Sequence, residues 1–89
     1  MQERTVVIVN KLGLHARAAS KFVNLAKRFA SRIEVSNAAK CVDGKSIMSI
    51  MLLAASQGTE IGLRIDGDDE GAAMQAITEL IADRFGEGE

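Results

Sequence analysis

The sequence predicts an α+β open-faced β-sandwich: a four-stranded antiparallel sheet covered on one face by three helices, in the order β-α-β-β-α-β-α. Two segments, Arg32–Ser36 and Glu60–Asp66, alternate apolar with polar side chains, so each strand offers one face to a core and the other to water. Between the strand-like stretches the apolar spacing changes to three and four residues, the period of a helix lying on that core. At 89 residues the chain has material for one domain, spanning residues 1–89, and none for a second.

Residues 5–9, Thr-Val-Val-Ile-Val, form a β-branched run of strand type that stops at the loop Asn10-Lys11-Leu12-Gly13. From Ala16 the period changes. Ala19, Phe22, Val23, Ala26 and Phe29 share one face, with Lys21, Asn24, Lys27 and Arg28 on the others, which predicts an amphipathic helix beginning at or just after His15. Ile33 and Val35 point one way along the next strand, and Asn37-Ala38-Ala39 turns it into a short partner over residues 40–43. After the turn Asp43-Gly44-Lys45, Ser46 is placed to cap a helix over residues 47–56, closed by Gly58 in a left-handed conformation. Ile61, Leu63 and Ile65 face inward on the fourth strand. Gly67-Asp68-Asp69 then ends that strand and caps a last helix running to about Phe85, followed by a frayed Gly86-Glu87-Gly88-Glu89 tail.

Composition excludes several functions. Hydrophobic residues make up 47% of the chain, but its only aromatics are three phenylalanines, so the core is aliphatic and there is no stacking platform for nucleic-acid bases. A formal net charge of −1 gives no overall field for nucleic acid or an anionic membrane. The distribution is uneven, however: residues 10–30 carry Lys11, Arg17, Lys21, Lys27 and Arg28 and no acid. One cysteine, Cys41, rules out an internal disulfide, and with one histidine it cannot make a structural zinc site, so neither metal nor cofactor is expected. Cys41 reads as a small buried hydrophobe. There is no apolar signal core at the N-terminus and no run of about 18–20 apolar residues to insert in a membrane, so a cytoplasmic protein is expected.

His15 is the residue that calls for a function. At a helix start, the amides of Ala16, Arg17 and Ala18 would turn toward its ring and, with the helix dipole, favour an anion there. Arg17 could place a forked guanidinium on that anion, a geometry that matches phosphate. An ordinary imidazole, with a pKa near 6.5, is mostly unprotonated and nucleophilic at neutral pH, which a phosphoryl acceptor requires. Taken alone, the same histidine reads first as a capping or surface residue, and Ser46 as a plain N-cap. Phosphate on Ser46 would place about two negative charges beside Ile47, Met48 and Met51, flexible apolar side chains suited to partner contact.

Two motifs together resemble the HPr family, the histidine-containing phosphocarriers of the bacterial phosphoenolpyruvate-dependent phosphotransferase system. They are Asn-Lys-Leu-Gly-Leu-His-Ala-Arg-Ala-Ala around His15 and Asp-Gly-Lys-Ser-Ile-Met around Ser46, at the separation the family has, within a likeness spanning residues 5–85. The resemblance implies that His15 takes phosphate on Nδ1 from phosphorylated enzyme I and passes it to an enzyme IIA protein or domain, with Arg17 stabilising it. Such a protein is a substrate of its partners, not an enzyme. It further implies that Ser46 is the serine modified in many relatives by HPr kinase/phosphorylase, that Ser20, Ile47, Met48 and Met51 lie on the docking surface, and that the protein acts as a monomer in sugar transport or nitrogen regulation. Many relatives have proline where this chain has Ala18; with Asn10-Lys11, that alanine resembles the nitrogen-related branch. The competing reading is a small-molecule-sensing module of the ACT type, which also has a Gly-Leu loop after its first strand but leaves the His15–Arg17 pair unexplained.

Overall fold

The computed structural model describes residues 1–87. Its elements are β1 (Gln2–Val7), α1 (Ala16–Ala26), β2 (Arg32–Ser36), β3 (Cys41–Asp43), α2 (Ile47–Leu52), β4 (Glu60–Asp66) and α3 (Glu70–Ala82), followed by a 3₁₀ turn at Arg84–Gly86. The four strands form one antiparallel sheet in the order β1-β4-β2-β3. β4 runs between β1 and β2, and its Ile61, Leu63 and Ile65 meet Ile33 and Val35 of β2 in a fully buried layer beneath the helices. The order β-α-β-β-α-β-α and the single covered face are as the alternation predicts.

The boundaries differ where tertiary partners override local pattern. β1 starts at Gln2 instead of residue 5 and ends at Val7 instead of residue 9, because it pairs along the length of β4, from Gln2 opposite Ile65 to Val7 opposite Glu60. Where β4 begins, the ladder ends. Ile8, beyond it, is still buried and exchanges hydrogen bonds with the Gly58–Thr59 turn. α1 stops at Ala26, short of Phe29, because the amides of Arg28 and Phe29 bond three residues back, to Leu25 and Ala26, and tighten the last turn.

α2 is shorter than predicted, six residues instead of ten. Ala54 adopts φ 51° directly after the Leu53 C-cap, so an alanine and not Gly58 takes the left-handed position that ends the helix. Gly58, at φ 87°, serves the turn into β4. Asp69 stands at the N-cap of α3 but does not cap it. Its carboxylate accepts from the Ala30 amide at 2.8 Å, the Ser31 amide at 2.9 Å and the Ser31 hydroxyl, tying the α1–β2 loop to the start of α3. The Ser31 hydroxyl first, then these amides, hold the Asp69 carboxyl below its ordinary range. Cys41 is exposed, not buried: it lies opposite Ser36 on the helix-free face of the sheet, with Sγ near Glu34.

The chain after α3 is not a frayed tail as far as it is described. Arg84 and Phe85 both take left-handed φ values, 56° and 54°, uncommon for bulky side chains. Phe85 is fully buried and Lys21 Nζ donates to its carbonyl at 2.7 Å, fastening the turn to α1. Gly88 and Glu89, the rest of the predicted tail, lie outside the described residues.

Candidate functional site

Gly13 sets the approach to α1. It has φ 66°, and a Cβ there would strike the Ala55 carbonyl and stand 2.8 Å from Ser56 Cα, so only glycine lets the loop pass this close to the chain leaving α2. Leu14 then buries its side chain, and its amide bonds the Ala55 carbonyl at 2.9 Å. His15 follows with an extended backbone, φ −72° and ψ 177°, as the N-cap of α1. Its side chain is about a quarter exposed.

The two ring nitrogens face different surroundings. Nδ1 accepts a hydrogen bond from the Arg17 amide at 3.3 Å; of the three amides considered from the sequence, this is the one that caps on the ring. Nε2 contacts Glu87 Oε2. Burial pushes the Glu87 carboxyl up, but hydrogen bonds from Asn10 and His15 and the positive charge of Arg17 outweigh it, leaving the carboxyl below its ordinary range and therefore ionised. A carboxylate can only accept, so the shared hydrogen belongs to Nε2, and Nδ1 keeps its lone pair toward the helix start.

Glu87 is the residue local reading missed. Residues 10–30 contain no acid, yet the fold brings a carboxylate from 72 positions along the chain onto the His15 ring. Asn10, expected as part of a loop, is fully buried beneath it. Its Nδ2 donates to the Gly13 carbonyl at 2.7 Å and to Glu87 Oε1 at 2.9 Å, while its Oδ1 has no partner among the described residues. A signal was present in the sequence: Phe85, one of only three aromatics, is an unusual residue for a fraying end.

Beside the ring lies a pocket of about 370 Å³ lined by Lys11, Leu12, Arg17, Lys21, Gly86 and Glu87. Three of the five cations of residues 10–30 thus converge there, the concentration of positive charge that the sequence implies, with the Glu87 carboxylate at its wall. An anion entering the pocket would meet Lys11, Arg17 and Lys21.

Ser46 lies at a second helix start. Its Oγ accepts from the Ser49 amide at 3.3 Å, capping α2, and its neighbours are apolar and exposed: Ile47 at 38%, Met48 at 77%, Met51 at 43% and Leu52 at 62%. Only Ile50 of α2 is buried. Ser20 is half-buried on α1, which packs against α2. Among the described residues there is no cluster of metal-ligating side chains and no helix long and apolar enough to cross a membrane.

Residues 2–83 match the family model described as "PTS HPr component phosphorylation site". The chain is 52% identical over 89 residues to the phosphocarrier protein HPr of Cupriavidus necator, covering 100% of both, and 53% identical over 85 residues to that of Pseudomonas aeruginosa, covering 94% of each. A crystal structure of HPr-C-His from Thermoanaerobacter tengcongensis superposes with a TM-score of 0.94 at 49% identity, over 98% of each chain.

Proposed function

The chain belongs to the HPr family of phosphotransferase-system phosphocarriers, and from that premise we propose that His15 Nδ1 is the atom that takes up and gives away the phosphoryl group. The observation that carries the proposal is the direction of Nδ1, whose lone pair accepts from the Arg17 amide at the start of α1. In transfer, this lone pair attacks phosphorus in line as the N–P bond of a donor phosphohistidine on enzyme I breaks, its electrons returning to the donor nitrogen. The Arg17 amide exchanges Nδ1 for a phosphoryl oxygen, the amides of Ala16 and Ala18 add to the field of the helix start, and the Arg17 guanidinium neutralises the equatorial oxygens. The reverse step delivers the group to an enzyme IIA protein or domain. The protein works as a single cytoplasmic domain, a monomer that is substrate to its partners.

Docking uses Ser20 together with Ile47, Met48 and Met51; the exposure of these three apolar side chains on α2, which packs against α1, supports the assignment. Phosphorylation of Ser46 by an HPr kinase/phosphorylase would set negative charge against that apolar surface and slow both transfers. Ala18 with Asn10-Lys11 favours the nitrogen-related branch. Incubation with phosphoenolpyruvate and enzyme I, in parallel with sugar-branch and nitrogen-branch enzymes, tests the whole reading. One acid-labile, alkali-stable phosphate on wild type, absent from His15→Ala, is the expected result. Unlabelled wild type with both enzymes, or equal labelling of the variant, would sink it.

A further inference from the structure

The chemistry above uses one ring nitrogen and leaves the other contact of His15 without a task. Nε2 is held by Glu87, whose second oxygen is held in turn by the buried Asn10 amide. This arrangement is supported from three sides. Phe85 is fully buried, Lys21 Nζ grips its carbonyl at 2.7 Å, and Gly86 at φ 75° turns the chain so that Glu87 lies over the ring. Asn10 directs both N–H donors, to Gly13 and Glu87, while its own oxygen stays buried and unpartnered. An unmet acceptor is unfavourable in a protein interior. Asn10 therefore contributes through its donors, and those donors join the loop leading to His15 to the carboxylate on its ring.

We infer that Glu87 is a positioning residue for phosphoryl transfer, acting through His15 by keeping a proton on Nε2 in the phosphorylated as well as the free protein, with Asn10 holding it in place. The inference rests on the reading of His15 as the phosphoryl seat. When Nδ1 gives its lone pair to phosphorus, the ring becomes a phosphoimidazolium that still carries the Nε2 hydrogen, and its positive charge forms against the Glu87 carboxylate. On onward transfer the N–P bond breaks, its electrons return to Nδ1, and the ring leaves as neutral imidazole with the Nε2 hydrogen still in place. Without that proton the leaving group would be an imidazolate, a far stronger base and a poorer leaving group. Lys11, Arg17 and Lys21, which line the same pocket, attract the phosphoryl oxygens but oppose a cationic ring; Glu87 offsets them at the nitrogen where the charge resides.

Nitrogen-15 NMR of histidine-labelled protein tests this directly. In the unphosphorylated wild type a slowly exchanging Nε2 proton is expected, lost in Glu87→Ala while the rest of the amide spectrum is unchanged. In the phosphorylated wild type at neutral pH Nε2 should remain protonated. In Glu87→Gln, which keeps the shape and loses the charge, Nε2 should shift to the unprotonated position and onward transfer should slow about tenfold, while His15 still accepts label. A protonated phospho-ring in Glu87→Gln overturns the inference, whether or not transfer slows, because slowing alone would report packing. Unchanged onward transfer in both variants overturns it as well. Failure of wild type to take label at His15 would instead remove the carrier reading beneath it.

Discussion

The starts of α1 and α2 use the same local device in different surroundings. Each is capped by a side chain that accepts from a backbone amide at 3.3 Å, His15 Nδ1 from Arg17 and Ser46 Oγ from Ser49. α1 continues for 11 residues with five of them buried, and its cap is surrounded by Lys11, Arg17, Lys21 and Glu87. α2 has six residues, one of them buried, and its cap is surrounded by exposed Ile47, Met48 and Met51. A helix N-terminus alone is therefore only a weak anion site; the side chains that converge on it decide whether charge there is stabilised or disruptive. Three cations and one carboxylate gather at the first start, whereas exposed apolar side chains surround the second.

Replacing His15 with serine gives α1 the cap of α2 and is the most severe way to separate the device from its surroundings. His15→Ser should abolish phosphoryl labelling while folding stability stays within about 1 kcal/mol, because serine is an effective cap. Denaturant titration beside the labelling assay reads both, and a collapse of stability would mean that the ring is needed chiefly as a cap. Arg17→Ala should reduce transfer about 10²-fold by removing one charge-matched donor. A rate within twofold of wild type would make the start of α1 no more anion-adapted than that of α2.

Smaller effects belong to α2. Ser46→Asp should slow transfer from enzyme I about tenfold, with Ser46→Ala transferring normally, as measured by stopped reactions at limiting enzyme I. Equal rates for the two variants would mean that charge at this start is not felt by partners. The smallest change concerns the end of that helix. Ala54 is held at φ 51°, so Ala54→Gly should raise stability by about 1 kcal/mol without altering transfer, read as a shift in the denaturation midpoint. Destabilisation would show that the methyl group packs well enough to offset the strained backbone.

Much of the fold was legible because period-two alternation in β2 and β4 fixes which face is covered, and that covering leaves little choice for the helices. Element ends were less legible because they depend on partners distant in sequence. β1 is bounded by the length of β4, not by its own run of β-branched residues. The end of α2 falls on an alanine because Leu14 and Gly13 pack against the chain just beyond it, a contact no local signal announces. Asp69 has the sequence of a cap, but the Ala30 and Ser31 amides compete for its carboxylate and win it. Within the site, His15 and Arg17 are neighbours and so visible together. Asn10 and Glu87 lie 77 positions apart, and the one hint that the chain end packs down, the aromatic Phe85, does not say which residues it brings together.

Cys41 gains a practical meaning from its exposure on the uncovered side of the sheet. As the only thiol in the chain, accessible on an edge strand away from the helical layer, it offers a single attachment point for a fluorescent dye. A molecule tagged there would present both helix starts unobstructed, so the arrival and departure of each partner could be timed one encounter after another.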